Sequence, residues 1–182
     1  MLLYVLLCIE LIARVVVEIR ERRATQLRGG VFAVLRVIPL INDIVPLPEN
    51  RKDPPTNAFV EMHERGHQKA RHAILRNLTK VILAMIAIWF LATQLIRSGM
   101  PLWMGVLWLH LVAIPFRVGF HWYCWGQEYE ADMYAFKELG KTKSKAALRE
   151  LGECEIPYTK MFALLYREHP TAELRLKKLL NK

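Results

Sequence analysis

The sequence is short of the residues that small secreted and redox scaffolds depend on. Of its 182 residues only three are cysteine (Cys8, Cys124 and Cys154), widely spaced and without a C-x-x-C pair. A disulfide framework and a cysteine-built zinc or redox site are therefore excluded, and the three read as reduced thiols in or near apolar segments. No internal repeat or low-complexity tract is visible. Acidic residues are also scarce, 17 Asp and Glu against 26 Lys and Arg, which leaves a net charge of +9. What the chain has in quantity is apolar surface. At 53% hydrophobic it cannot be a disordered polymer, and since 24% of it is still charged, the two kinds of residue must be segregated into blocks. Its length allows one domain, or one domain built around a few membrane spans.

Three apolar blocks carry most of that surface. Residues 2–17 are broken only by Glu10 and Arg14; residues 81–96 hold only Thr93 and Gln94 as polar members; residues 100–116 have no formal charge and continue past Arg117 to Trp125. The second block is a little short of the ~20 residues of a full span. The Arg97-Ser98-Gly99-Met100-Pro101 turn leaves room only for an antiparallel helical hairpin. Trp103, Trp108, Trp122 and Trp125 stand toward the ends of the third block, where interfacial aromatic belts occur. A buried hairpin of a soluble bundle is the alternative. The first block has neither a basic leader nor a small-residue cleavage site, so it reads as a signal anchor over residues 1–20.

Basic residues flank the blocks on one side. Arg20, Arg22, Arg23, Arg28 and Arg36 follow the first, Arg71, Arg76 and Lys80 precede the second, and Arg117 follows the third; only Arg97 lies opposite. The positive-inside rule then puts the N-terminus and the Arg97 turn outside and the rest in the cytosol. Nucleic acid is not an expected partner, because aromatics are not interleaved with the basic residues. A lipid bilayer is. Residues 21–55 form a proline-bearing linker.

The chemistry begins after Pro54-Pro55-Thr56-Asn57, a helix start with Thr56 or Asn57 as N-cap. His63-Glu64-Arg65-Gly66-His67 is an H-E-x-x-H pentad. On a helix the two histidines share a face, so both imidazoles reach one zinc ion, while Glu64 at the rim can take a proton from a water. Catalytic zinc needs a third protein ligand. Glu128 and Asp132, four apart on the continuation of the third block, are the candidates. In an antiparallel hairpin, residues at equal height have numbers with a constant sum. A turn centred between Arg97 and Ser98 sets that sum at 195, which His67 with Glu128 and His63 with Asp132 both meet. Glu128 is then a ligand, and Asp132 the carboxylate that holds the His63 ring. His72, His110 and His121 lack such spacing and read as packed or interfacial side chains, and Glu130 as solvated.

The run from His63 (H-E-R-G-H-Q-K-A-R-H-A-I-L), the apolar hairpin, the E-Y-E-A-D-M-Y-A segment from Glu128, and H-P-T-A-E-L-R from His169 to Arg175 resemble the HtpX and CAAX-prenyl-protease family of membrane gluzincins over residues 57–182. The resemblance implies zinc as cofactor, His63, His67 and Glu128 as its ligands, Glu64 as general base, Asp132 orienting His63, and His169 helping to stabilise an oxyanion. It also implies a protein or peptide substrate bound by backbone addition to a strand edge, which in this chain would have to come from residues 31–48.

The expected fold is mainly α with little or no β structure: a zinc-site helix pair over residues 56–140, joined through a transmembrane hairpin at about 81–120, and a helical cap over 141–182. The expected function is an integral-membrane zinc metalloendopeptidase in the inner or plasma membrane, cutting membrane or misfolded proteins at the cytosolic face. The rival is a non-catalytic membrane adaptor or signalling protein with a structural or vestigial zinc site. Substrate identity and oligomeric state leave no mark in the sequence.

Overall fold

A computed structural model of the chain describes residues 1–25, 30–41, 45, 47, 48 and 50–181. Among them every regular element is a helix: α1 (Leu2–Thr25), α2 (Gly30–Leu35), α3 (Ala58–Lys69), α4 (His72–Ser98), α5 (Leu102–Leu139), α6 (Lys141–Cys154), α7 (Lys160–Tyr166) and α8 (Ala172–Leu180). The mainly α expectation holds. The strand edge expected from residues 31–48 is corrected in its first part: residues 31–35 lie inside α2, whose six residues close a helical turn instead of extending. Residues 42–44 and 46 of that stretch lie outside the described residues. Among the described residues the β-type pairing is an isolated antiparallel bridge between Asn50 and Glu155.

The chain divides into two compact units, Met1–Pro46 with Asn77–Gly119, and Leu47–Arg76 with Phe120–Lys182. The first unit is apolar outward and polar inward. On α1 the charged residues Glu10, Arg14, Glu18 and Glu21 are buried, whereas Val5, Ile9, Ile12, Val16 and Ile19 on the other face are exposed. Glu10 accepts from Arg14 Nε at 2.6 Å and lies 2.8 Å from His110 Nε2 on α5; Glu18 accepts from Arg36 Nε at 2.7 Å. Such a helix has its hydrophobic side where water would be in a soluble protein, an arrangement that suits lipid as the surrounding solvent. α4 and α5 are long and apolar enough to cross a membrane, and the most apolar stretch of α4 has no buried residue among those described. Ile82, Met85, Ile86 and Trp89 are all exposed there. Between them Gly99, in a left-handed conformation at φ 58°, turns the chain. Glu10, Arg14 and Glu18 interrupt the apolar run of α1.

The second unit has an ordinary core. Phe59 of α3, Ala135 of α5, Leu148 and Leu151 of α6, and Ala172 and Leu179 of α8 pack together, flanked by Met62, Met133 and Phe136. α3 starts where Asn57 accepts from the backbone N–H groups of Phe59 and Val60 at 3.1 Å each, choosing between the two candidate caps. It ends at Lys69, and Arg71 takes a left-handed φ of 56° before α4 begins. α8 has no side-chain cap from Thr171; instead the Glu155 carboxylate accepts from the Ala172 N–H at 2.8 Å.

Candidate metal centre

Three elements of the second unit build the site. α3 brings His63 and His67, one turn apart; the last third of α5 brings Glu128 and Asp132; and the loop before α8 brings His169. α3 lies very close to α5, since a Cβ on Gly66 would meet Ala131 Cα at 3.0 Å. Only glycine at position 66 allows that approach, and it explains how short side chains span the gap. One face of α5 points to the site: Cys124, Glu128, Ala131, Asp132 and Ala135 are all nearly fully buried, at spacings of three and four.

His63 Nε2 and His67 Nε2 are 3.1 Å apart, His63 Nε2 is 3.3 Å from Glu128 Oε2, and His67 Nε2 is 3.3 Å from Glu128 Oε1. Ligands at zinc distances of about 2.0–2.1 Å in a tetrahedron stand roughly 3.3 Å from one another. The donor set therefore fits zinc in kind and in spacing: two imidazole nitrogens and a carboxylate, 3.1–3.3 Å from one another. The site can hold a metal ion through His63, His67 and Glu128.

Each candidate ligand is braced from behind. His63 Nδ1 lies 2.9 Å from Asp132 Oδ1, and Arg175 of α8 donates to the same carboxylate through Nε at 2.9 Å and through Nη2. His67 Nδ1 lies 2.7 Å from His72 Nδ1, and His72 Nε2 lies 3.3 Å from Glu130 Oε2. Arg76 donates through Nη2 to Glu128 at 2.7 Å and through Nε to Gln127 at 2.6 Å. His169 Nδ1 lies 3.0 Å from Glu128 Oε1, with its side chain 46% exposed. The loop that carries His169 is pinned by Trp125 Nε1, which donates to the Arg167 carbonyl at 3.2 Å, and by the burial of Pro170 and Thr171. Glu64 is exposed, free to face solvent or a substrate.

These contacts set the charge state. Burial works against ionisation of Glu128, but hydrogen bonds from His169, His63 and His67 outweigh it and hold the carboxyl far below the usual range. Burial likewise opposes the charge on Asp132, and the Arg175 guanidinium overcomes it, so this carboxyl is depressed too. Burial pulls His63 down, yet hydrogen bonds to Asp132 and Glu128 raise it above its ordinary 6.5. The metal-free site thus keeps both carboxylates ionised and makes His63 easier to protonate than a free imidazole.

The structure brings together His63, His67, Glu128, Asp132 and His169, and sets Glu64 next to them in sequence on α3. His67 meets Glu128 and His63 meets Asp132, the pairs expected from equal heights, but through two offsetting departures from a regular hairpin. The turn spans Gly99–Pro101, centred on Met100, which moves the constant sum to 200, not 195. Past the hairpin, His72 meets Glu130, whose numbers total 202, two above that value. The break at Ala70 and Arg71 then shifts α3 back, so that His67 meets Glu128. α3 and α4 are separate helices, parted at Ala70 and Arg71. His72, Arg76 and Arg175 were not singled out as site residues. Arg76 reads as a topology-setting flank charge, and only its spacing of four from His72 links it to the site. Arg175 had a signal, as the last residue of the H-P-x-x-x-x-R segment.

Compared with known proteins, residues 39–182 match the family described as Peptidase family M48. No curated protein matches the chain, and no solved structure does.

Proposed function

Because the chain belongs to peptidase family M48, a metallopeptidase family, we propose that it is an integral-membrane zinc metalloendopeptidase that cuts membrane or misfolded proteins at the cytosolic face. The observation that carries this reading is the convergence of His63, His67 and Glu128 at tetrahedral spacing beside an exposed Glu64. A purely structural metal site needs no base at its rim. Two helices of spanning length and apolarity, and a first unit whose charged residues face inward, support the bilayer as its surroundings. The basic residues flanking the blocks support the cytosolic orientation.

Zinc held by these three ligands supplies Lewis acidity toward a carbonyl oxygen and acidifies a water. The protein does the rest. Glu64, one residue from His63 on the same helix, accepts the proton of the attacking water and returns it to the leaving amine. Asp132, fixed by Arg175, takes the Nδ1 proton of His63 in a hydrogen bond and so leaves Nε2 free to bind metal. His169, half exposed and resting against Glu128, swings to donate to the oxyanion that develops on the substrate. Arg76 and Gln127 keep the Glu128 carboxylate aimed at the two imidazoles.

The test uses the full chain purified in detergent, with zinc content and cleavage of an unfolded protein measured together. Wild type is expected to hold one zinc and to cleave. Glu64→Gln should hold the same zinc and lose ~10²–10⁴-fold in rate, the usual worth of a general base. Stoichiometric zinc without cleavage in wild type would favour the adaptor reading instead. Full activity in Glu64→Gln would overturn the mechanism.

A further inference from the structure

We propose that His72 is a positioning residue that fixes the tautomer and orientation of His67, with Glu130 as its anchor. The inference rests on the metal-site reading above and extends it to a residue with no spacing relation to the pentad.

The contacts define the proton positions. For His67 to offer Nε2 to a metal, its Nδ1 must carry the proton and donate it. The atom in place to accept is His72 Nδ1, at 2.7 Å. An imidazole that accepts at Nδ1 carries its own proton on Nε2. That is the nitrogen 3.3 Å from Glu130 Oε2. One carboxylate at the end of the chain therefore fixes both rings. The rings meet edge to face, 4.9 Å between centroids at 75°, and His72 is only 2% exposed. His63 has the shorter version of the same device, with Asp132 directly on its Nδ1.

The backbone supplies an independent observation. In an unbroken helix, residue 72 would be rotated about 140° from residue 67, five steps of about 100° each, and would point away from the zinc face. The chain instead breaks at Ala70 and Arg71, where Arg71 sits at φ 56° without the freedom of glycine. This left-handed step lets His72, the first residue of α4, come under His67. The strained step and the buried imidazole have one explanation: the second ligand needs an acceptor that a regular helix cannot bring to it.

Three substitutions separate an acceptor from a packing residue. His72→Asn places its amide oxygen near the position of Nδ1 and keeps the acceptor. His72→Gln places its amide near Nε2 and does not. His72→Leu fills the space with no polar atom. Zinc affinity is measured by chelator competition on the full chain in detergent, and the visible spectrum of the cobalt(II) form reports ligand geometry. Melting of the metal-free protein monitors folding. Leu and Gln are expected to weaken zinc binding ~10–100-fold, the usual loss for an outer partner of a metal ligand, and to change the cobalt spectrum. Asn should stay close to wild type in both. His72→Leu binding zinc as tightly as wild type would overturn the proposal, and so would Asn failing together with Leu and Gln. If wild type itself took up no zinc, the failure would lie with the metal-site reading instead.

Discussion

Replacing Gly66 by alanine tests the closest contact in the site. A methyl there would stand 3.0 Å from Ala131 Cα, 3.2 Å from Tyr134 Cβ and 3.3 Å from the Ala131 carbonyl oxygen. Carbon atoms settle at about 3.5–4.0 Å, so α3 has to retreat from α5 by about 0.5–1 Å. Two of the three obstacles are backbone, and no rotamer relieves them. Overpacking of this kind costs roughly 1–3 kcal/mol of stability. It also pulls His67, the next residue, away from Glu128. Metal ligation tolerates only about 0.2 Å of error, so zinc affinity should fall with stability. The assay pairs thermal melting of the metal-free protein with chelator competition for zinc. Gly126→Ala is the control, since nothing lies within 4 Å of its added methyl in the interior of α5. It should gain roughly 0.5–1 kcal/mol from reduced backbone freedom, with zinc binding unchanged. If Gly66→Ala followed Gly126→Ala in both readouts, the close approach of α3 to α5 would be wrong, and with it the geometry of the site.

Other outcomes follow from the same contacts. Asp132→Asn leaves Arg175 beside a neutral amide and takes the acceptor charge from His63, so zinc affinity should drop ~10–100-fold while α3 stays folded. Stability of the metal-free protein should depend on pH at both ends. His63 is raised above 6.5, so its contribution is full below that pH and is lost as pH climbs through the folded value. Asp132 is depressed below 3.8, so its contribution is full above that pH and is lost as pH falls through the folded value. Zinc competes with the proton on His63, and its affinity should therefore rise with pH over the range where metal-free stability falls. A profile that stayed flat as pH rises above 6.5 would contradict the His63 assignment. In the first unit, Glu10→Gln weakens the carboxylate that Arg14 and His110 both hold. It should loosen α1 by roughly 1–2 kcal/mol, the scale of polar contacts between helices in lipid, as read by protease sensitivity in detergent.

The parts of this site that follow helical periodicity could be read from the sequence. His63 and His67 one turn apart, and Glu128 and Asp132 likewise, define faces by arithmetic alone. The apolar blocks announced α4 and α5 by their length and composition. What escaped depends on departures from regularity. A left-handed residue at Arg71 has no side-chain signature, because arginine rarely adopts that conformation, and without it His72 points away from the site. Arg76 reaches Glu128 by the length of its side chain, so its charge is legible as a flank and its destination is not. Residues 31–35 alternate too little to be told from a buried strand, and tertiary context closes them into α2. On α1 the sequence shows Glu10 and Arg14 as breaks in an apolar run, and that they face inward follows only from Glu10 meeting His110, a hundred residues away in sequence.

The most direct test of the central claim is the zinc K-edge X-ray absorption spectrum of the purified full chain. The account predicts one zinc per chain with four light ligands at about 2.0–2.1 Å, two of them with the multiple scattering of imidazole. The Glu64→Gln protein should give the same spectrum, and the Glu128→Ala protein a different one. A sulfur shell at about 2.3 Å, or a spectrum indifferent to Glu128, would contradict it.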